Sequence, residues 1–366
     1  MKEKTSNAGN ATPERAQSEK LQRKTSRNKT SEVPGLKQAL RSLHKLFKRG
    51  YGKKKREIRE NHRKSKRRKQ DKEYIFSAAT YKKYKNIVYN YFVWLHENGF
   101  IIKHMQDAVD YIQPFLDFLA AAGNSPCYIK TVGCAILKLY PGRYLGNYKT
   151  PQRSRKMITK SRAHDLKYCL IIKRKYPVLF AFGLCIGLRK KKELAKIKGT
   201  DLVEKGDAYF VHVRGKNGQY RDAPIIGEPE MVAFIVQIFH DAGERKIFGP
   251  DGAQGRIPSD FDEHCFRAIY ASKLYAGNAR PIKKLEKEEK YYCRGDYKGI
   301  VLDRRAMKIA SEALGHHRVS IIAQNYLWPL ITMPRKLRKF FGLKKVRKNK
   351  CRKKKKSIKG KKSIKS

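Results

Sequence analysis

Between residues 73 and 150, apolar positions recur at helical spacing in three successive stretches. Ser77 precedes Tyr81, Tyr84, Val88, Tyr91, Phe92 and Leu95, which predicts a capped helix that Asn98-Gly99 ends. Val109, Ile112, Phe115, Leu116 and Leu119 predict a second helix, stopped at Gly123. Ser125-Pro126 opens a third, carrying Ile129, Val132, Ile136 and Leu137 and ending at Pro141-Gly142. Short helices with basic outer faces make 73–150 a compact helical domain, and no internal repeat is visible.

The pattern changes twice in residues 151–340, which read as a larger domain. A helical stretch runs to about Lys198. It includes the longest apolar run, Tyr176 to Leu188, which is too short to span a bilayer and reads as a buried helix. YFVHVRG (209–215) and YRDAPII (220–226) are strand-like, and Lys216-Asn217-Gly218 between them predicts a hairpin turn. Helical periodicity returns after Pro229. The fold class is mainly α with a small β-sheet: a helical domain followed by a mixed α/β domain.

Both ends are polar and basic. Residues 1–72 carry KKKR (53–56) and RKSKRRKQ (63–70), and 341–366 close on a lysine-rich tail; both are expected to be largely disordered arms. Within the first arm, Leu36, Leu40, Leu43 and Phe47 predict a basic amphipathic helix over 34–49. Nucleic acid, a partner, a membrane surface and the protein's own body all remain open as its contact.

Charge narrows the partner. Over 366 residues, 86 Lys+Arg against 32 Asp+Glu give a formal net charge of +54. Such self-repulsion has no use in an enzyme of small molecules, and a polyanion relieves it through counterion release. The seven cysteines form no CxxC pair, which argues against a zinc site or a disulfide framework. The first residues lack the apolar run of a signal peptide, so a cytoplasmic, nucleoid-associated protein with no membrane partner is expected. No GxxxxGK[ST] phosphate loop and no carboxylate cluster occur, so neither a cofactor nor a metal is expected.

Candidate chemistry sits in four short segments. Arg189 follows the buried run in GLCIGLRKKKELAKIKGTDL, with Glu193 close behind; membership of a solvated basic cluster is the alternative. Lys216 occupies the hairpin tip of VRGKNGQYRDAPI, where a lysine can protonate a leaving alkoxide, or be an ordinary turn lysine. His264 and Arg267 stand one helical turn apart in DEHCFRAIYASKLY; a histidine relays protons and an arginine grips phosphate oxygens. In SEALGHHRVSIIAQNYL, His316 follows a glycine-capped helix and Tyr326 ends the next helical stretch. A tyrosine in isolation is more often a core residue.

Taken in order over residues 75–335, these segments resemble the tyrosine recombinases of the phage-integrase family. SAATYKKYKNIVYNYFVWLHENG and NSPCYIKTVGCAILKLY are similar to that family's helical core-binding domain. GLR at 187–189 is similar to its first-arginine motif, VRGKNGQYRDAPI to its hairpin-lysine motif, HCFRAIYAS to its HxxR box and LGHHRVSIIAQNYL to its histidine–tyrosine box. Glu193 stands one residue further from Arg189, and His316 one residue further from Tyr326, than in the family pattern, which makes His317 a second choice for the histidine. An insertion around 276–302 has no counterpart.

The resemblance implies a tyrosine-recombinase catalytic domain and a catalytic set of Arg189, Lys216, His264, Arg267, His316 and Tyr326. In that scheme Tyr326 attacks DNA and leaves a 3′-phosphotyrosyl link and a free 5′-hydroxyl. Arg189, Arg267 and His316 hold the phosphate, Lys216 protonates the leaving group, and His264 assists proton transfer or orients the phosphate. The implied partners are double-stranded DNA recombination sites, bound by a homotetramer, with accessory DNA-bending or excision factors compatible. Leu330, Ile331, Leu337, Phe340 and Phe341 would then anchor the tail on a neighbouring protomer. The rival readings are type IB topoisomerase-like relaxation and a non-catalytic DNA-binding protein.

Overall fold

In the computed structural model, the described residues are 33–54, 57–58, 60, 73–154, 158, 161, 166–215, 219–316 and 318–346. The arms expected to be disordered fall mostly outside them, as do Lys216 and His317. The chain divides into two compact units, Met1–Met157 and Ile158–Ser366.

The first unit is helical: α1 (Leu36–Gly50), α2 (Ala78–Glu97), a 3-10 turn (Met105–Tyr111), α3 (Ile112–Ala121) and α4 (Pro126–Ile136). Local chemistry sets the boundaries as the sequence predicts. Ser77 Oγ accepts from Thr80 N at 3.2 Å to start α2, and Ser125 Oγ accepts from Tyr128 N at 3.3 Å to start α4. The stretch before Ile112 tightens into the 3-10 turn rather than joining α3, with Asp107 accepting from His104 N at 2.8 Å. The amphipathic helix is α1, and its apolar face docks on the protein's own body. Leu36, Ala39 and Leu43 are buried in the unit's core, and Phe47 stacks on Tyr81 of α2 at 4.5 Å.

The second unit begins with α5 (Leu166–Lys175), α6 (Pro177–Cys185) and a π-helical turn (Lys190–Leu194). A three-stranded antiparallel sheet follows, in the order β1 (Leu202–Lys205), β2 (Ala208–Arg214), β3 (Tyr220–Pro224). β2 and β3 are the expected hairpin; β1 adds a strand too short to show an alternation in sequence. Next come α7 (Pro229–Ala242) and α8 (Glu263–Asn278), then β4 (Lys290–Tyr292) and β5 (Val301–Asp303). The chain continues through α9 (Arg304–Ala313), α10 (Val319–Asn325), α11 (Trp328–Ile331) and α12 (Arg335–Phe340).

Two helices organise this unit. α6 is buried from Leu179 to Cys185, as its apolar run requires, and α8 packs against α6, α9 and α11. The insertion forms the small β4–β5 ladder. It is fastened by Arg280, whose Nε and Nη2 each donate at 2.9 Å to Asp303, a buried carboxylate that also caps α9 through Arg305 N.

The tail differs from expectation. Leu330, Ile331, Leu337 and Phe341 are buried in the core of their own unit and Phe340 packs against it, so these side chains close the fold within one chain. Apolar residues so near in sequence to an open apolar surface bury there first.

Candidate active site

The site is built from the inside outward around one carboxylate. Arg189 ends the segment after α6, and the next residues wind into the π turn, where Leu194 N donates to Arg189 O at 2.8 Å. That wider turn swings Glu193 into the interior, where it is 1% exposed. Three arginines converge on it. Arg189 Nη1 donates to Glu193 Oε1, Arg221 donates through Nη1 (3.0 Å) and Nη2 (2.9 Å) to the two oxygens, and Arg267 Nη1 lies 3.5 Å from Oε2. Burial alone would raise this carboxyl. The Arg221 hydrogen bonds, the Arg221 and Arg267 charges and the Arg189 backbone N–H outweigh it and hold it at about 2.

Arg267, on α8, is fully buried, which an arginine tolerates only when its donors are used. Nη1 also donates to Gly187 O and Nη2 donates to Leu314 O at 3.2 Å. Nε has no hydrogen-bond partner among the described residues. The Tyr326 ring covers this guanidinium at 5.8 Å from its centroid.

His316 and Tyr326 meet above it. Just past α9, Gly315 sits in left-handed backbone at φ 68°, where an added Cβ would lie 3.0 Å from Arg221 Nη1. The turn after it is pinned by His316 N donating to Ser311 O at 2.8 Å and Ser311 Oγ donating to His316 O at 2.7 Å. Tyr326, at the C-terminal end of α10, is fixed by its N–H to Ile322 O (2.9 Å), and its carbonyl accepts from the buried Ser272 of α8 (3.2 Å). These anchors bring His316 Nε2 to 3.0 Å from the Tyr326 hydroxyl. Burial, and then the Arg267, Arg189 and Arg221 charges, push the imidazole down to about 4, so it is neutral at ordinary pH.

Beside this pair lies a cavity of about 180 Å³, lined by Arg189, Gly215, Gln219, Tyr220, Arg221, Glu312, Gly315 and His316. Arg189 and Arg221 line it alongside Glu312, and the fully buried Arg267 and Glu193 lie outside the lining, so the Arg189–Arg221–Arg267–Glu193 cluster keeps an excess of positive charge. Such a lining suits a compact anion.

The expected residues are therefore distributed unevenly. Arg189, Arg267, His316 and Tyr326 are gathered in one place. Lys216 lies outside the described residues, though Gly215 and Gln219, which flank the hairpin tip and are joined by a 2.7 Å backbone hydrogen bond, line the cavity. His264 is not brought to the cavity: it shares α8 with Arg267, but its ring is 59% exposed and lies 3.6 Å from Glu263. Arg221 was missed as a site residue. Its signal is strand alternation: Arg221 pairs with Val213 and Ala223 with Val211, so an arginine occupies the core-facing side of β3. Among the described residues, no group of three or more His, Cys, Asp or Glu is placed to hold a metal ion, and no helix is long and apolar enough to cross a membrane.

No protein-family model and no curated protein matches the chain. Among solved structures, it is similar to the XerH site-specific recombinase bound to palindromic difH substrate in a post-cleavage complex, at 13% identity over 71% of this chain and 78% of that one, with a TM-score of 0.45. The pre-cleavage XerH complex with difH gives 12% identity over 72% and 78%, with a TM-score of 0.41. XerA recombinase gives 15% identity over 84% and 98%, with a TM-score of 0.28.

Proposed function

We propose that the chain is a DNA strand-cleaving and rejoining enzyme with Tyr326 as nucleophile, acting as a site-specific recombinase or integrase. The observation that carries this reading is the Tyr326 hydroxyl, held 3.0 Å from His316 Nε2 above the Arg267 guanidinium and beside an arginine-lined cavity. A phosphodiester resists attack because charge accumulates on its nonbridging oxygens. Fixed cations placed there favour the transition state over the ground state.

In this scheme the scissile phosphate occupies the cavity. Arg189 lines the cavity and contacts the phosphate directly, while Arg267, fully buried and outside the lining, adds its charge. His316 donates a further hydrogen bond to the same group. Attack by Tyr326 leaves a 3′-phosphotyrosyl enzyme, and Lys216, from the hairpin whose flanks line the cavity, protonates the departing 5′-oxygen. The phosphoester bond is conserved in the covalent link, so rejoining needs no nucleotide. The ordered sequence motifs, with a helical unit ahead of the catalytic one, favour recombination over simple relaxation. Duplex recombination sites, a tetrameric assembly on them and a place in the nucleoid belong to the same reading.

The test uses a pool of random-sequence nicked duplexes. The full chain should yield detergent-stable, protease-sensitive DNA adducts linked through 3′-phosphate, and Tyr326→Phe should yield none while still retarding DNA in a gel. Adducts formed by Tyr326→Phe, or their absence from the parent protein across the whole pool, would overturn the assignment.

A further inference from the structure

We infer that His316 is the proton acceptor that frees the Tyr326 oxygen for attack, an inference that rests on the nucleophile reading above. A phenol titrates near pH 10, with about one molecule in a thousand ionised at neutral pH, so a placed base raises the reactive fraction. Among the described residues, His316 is the base shown within hydrogen-bond distance of the Tyr326 hydroxyl. Arg189, Arg221 and Arg267 are cations with no lone pair to offer. Glu193 is committed to those same three arginines. His264 is 59% exposed and lies beside Glu263. His316 Nε2 is within hydrogen-bond distance of the hydroxyl, and its backbone is tied to Ser311 on both the N–H and the carbonyl side.

The ring stays neutral because the groups facing it are mostly cationic. Arg267 of α8, Arg221 of β3 and Arg189 at the start of the π turn oppose its protonation, and Glu193 offsets them in part. Lys308 and Glu312 of α9, with Arg318 at the start of α10, share a second cavity with the ring. An incoming phosphate adds negative charge beside the imidazole and raises its affinity for a proton when a proton must be taken.

The Tyr326 Oη–H proton passes to His316 Nε2 as the Oη–P bond forms. The P–O5′ bond breaks, and the 5′-oxygen takes a proton from Lys216. The new imidazolium Nε2–H then points at the phosphoryl group, so the nitrogen that accepted the proton becomes the donor to a nonbridging oxygen. Rejoining runs these transfers backward and returns the proton to Tyr326.

The experiment is single-turnover adduct formation on the nicked-duplex pool, followed from about pH 5 to about pH 9, for the parent, His316→Gln and His316→Ala. In the parent, the rate should be nearly flat over most of this range, because His316 is already neutral there. His316→Gln can donate but not take up a proton. It should be slower by about 10²–10⁴-fold near neutrality and lose the plateau, its rate continuing to climb with pH. Imidazole added to the buffer should restore part of the His316→Ala rate, and more so as pH rises through imidazole's own ionisation. Parallel pH profiles for the parent and His316→Gln, or no response of His316→Ala to imidazole while it still binds DNA, would overturn the acceptor role alone. Adducts from Tyr326→Phe would instead remove the nucleophile, and the base with it.

Discussion

Arg221 grips both oxygens of Glu193, at 3.0 and 2.9 Å, and donates its Nε to Ala313 O at 2.9 Å. One side chain thus joins the β2–β3 hairpin, the π turn and the end of α9, the three places that supply Lys216, Arg189 and His316. Removing it leaves a buried carboxylate short of its strongest partner, which costs about 3–5 kcal/mol for a pair of this kind. Arg221→Met should lower the unfolding free energy by that order in chemical denaturation. It should also reduce adduct formation more than DNA binding. A variant as stable as the parent would mean that the arginine is not the keystone of the cluster.

Acid should weaken the second unit in two stages. His316 titrates near 4 in the folded chain against an ordinary 6.5, so the unfolded chain binds more protons as pH falls through that window and stability drops with it. Glu193 is held near 2 against an ordinary 4.5, so its contribution is complete above 4.5 and is lost as pH falls from there toward 2. Unfolding free energies measured along a pH series should show both stages in the parent, and His316→Gln should lack the upper one. Stability that stays flat from pH 6.5 to 4 in the parent would contradict the half-buried, neutral imidazole.

Much of this arrangement was legible in the chain. The helices of the first unit follow from Ser77, Ser125 and the apolar spacing, because capping and burial are local. The hairpin follows from Asn217-Gly218. The Tyr326–His316 approach was readable as a motif but not as a distance, since it depends on Ser311 and Ser272 holding two backbone turns in place. Arg221 escaped notice because an arginine in a basic chain reads as surface. Its inward register appears only once β2 and β3 are paired. The separate environments of His264 and Arg267 were also hidden: one-turn spacing puts residues near one face, but His264 stands at the exposed start of α8 and Arg267 in the buried stretch that begins at Cys265.

The spacing of Glu193 from Arg189 is the most instructive departure. One residue too many for an α-turn is absorbed by a π-helical turn, whose hydrogen bonds reach one residue further, and such turns recur at functional sites. Deleting Lys192 should convert this to an ordinary α-turn and leave the carboxylate facing Arg221 and Arg267. The deletion variant is expected to fold and to form adducts within about tenfold of the parent, a barrier change near 1.4 kcal/mol. Complete loss of adducts in a well-folded deletion variant would show that the wider turn is itself required.

The two basic arms call for a cut placed by the fold rather than by composition. Removal of 1–32 takes basic residues away without touching any described side chain, whereas removal of 1–72 also strips Leu36, Ala39 and Leu43 from the first unit's core. Each lysine or arginine that neutralises a phosphate contributes about 0.9 to the slope of log affinity against log salt on duplex DNA. The 33–366 chain should therefore bind random-sequence duplex with a shallower salt slope and unchanged thermal stability. The 73–366 chain should in addition unfold at lower temperature, because α2 loses the helix that covers it. If the shorter cut leaves the salt slope where it was, residues 1–32 do not touch phosphates, and the contacts behind the affinity lie on the two folded units.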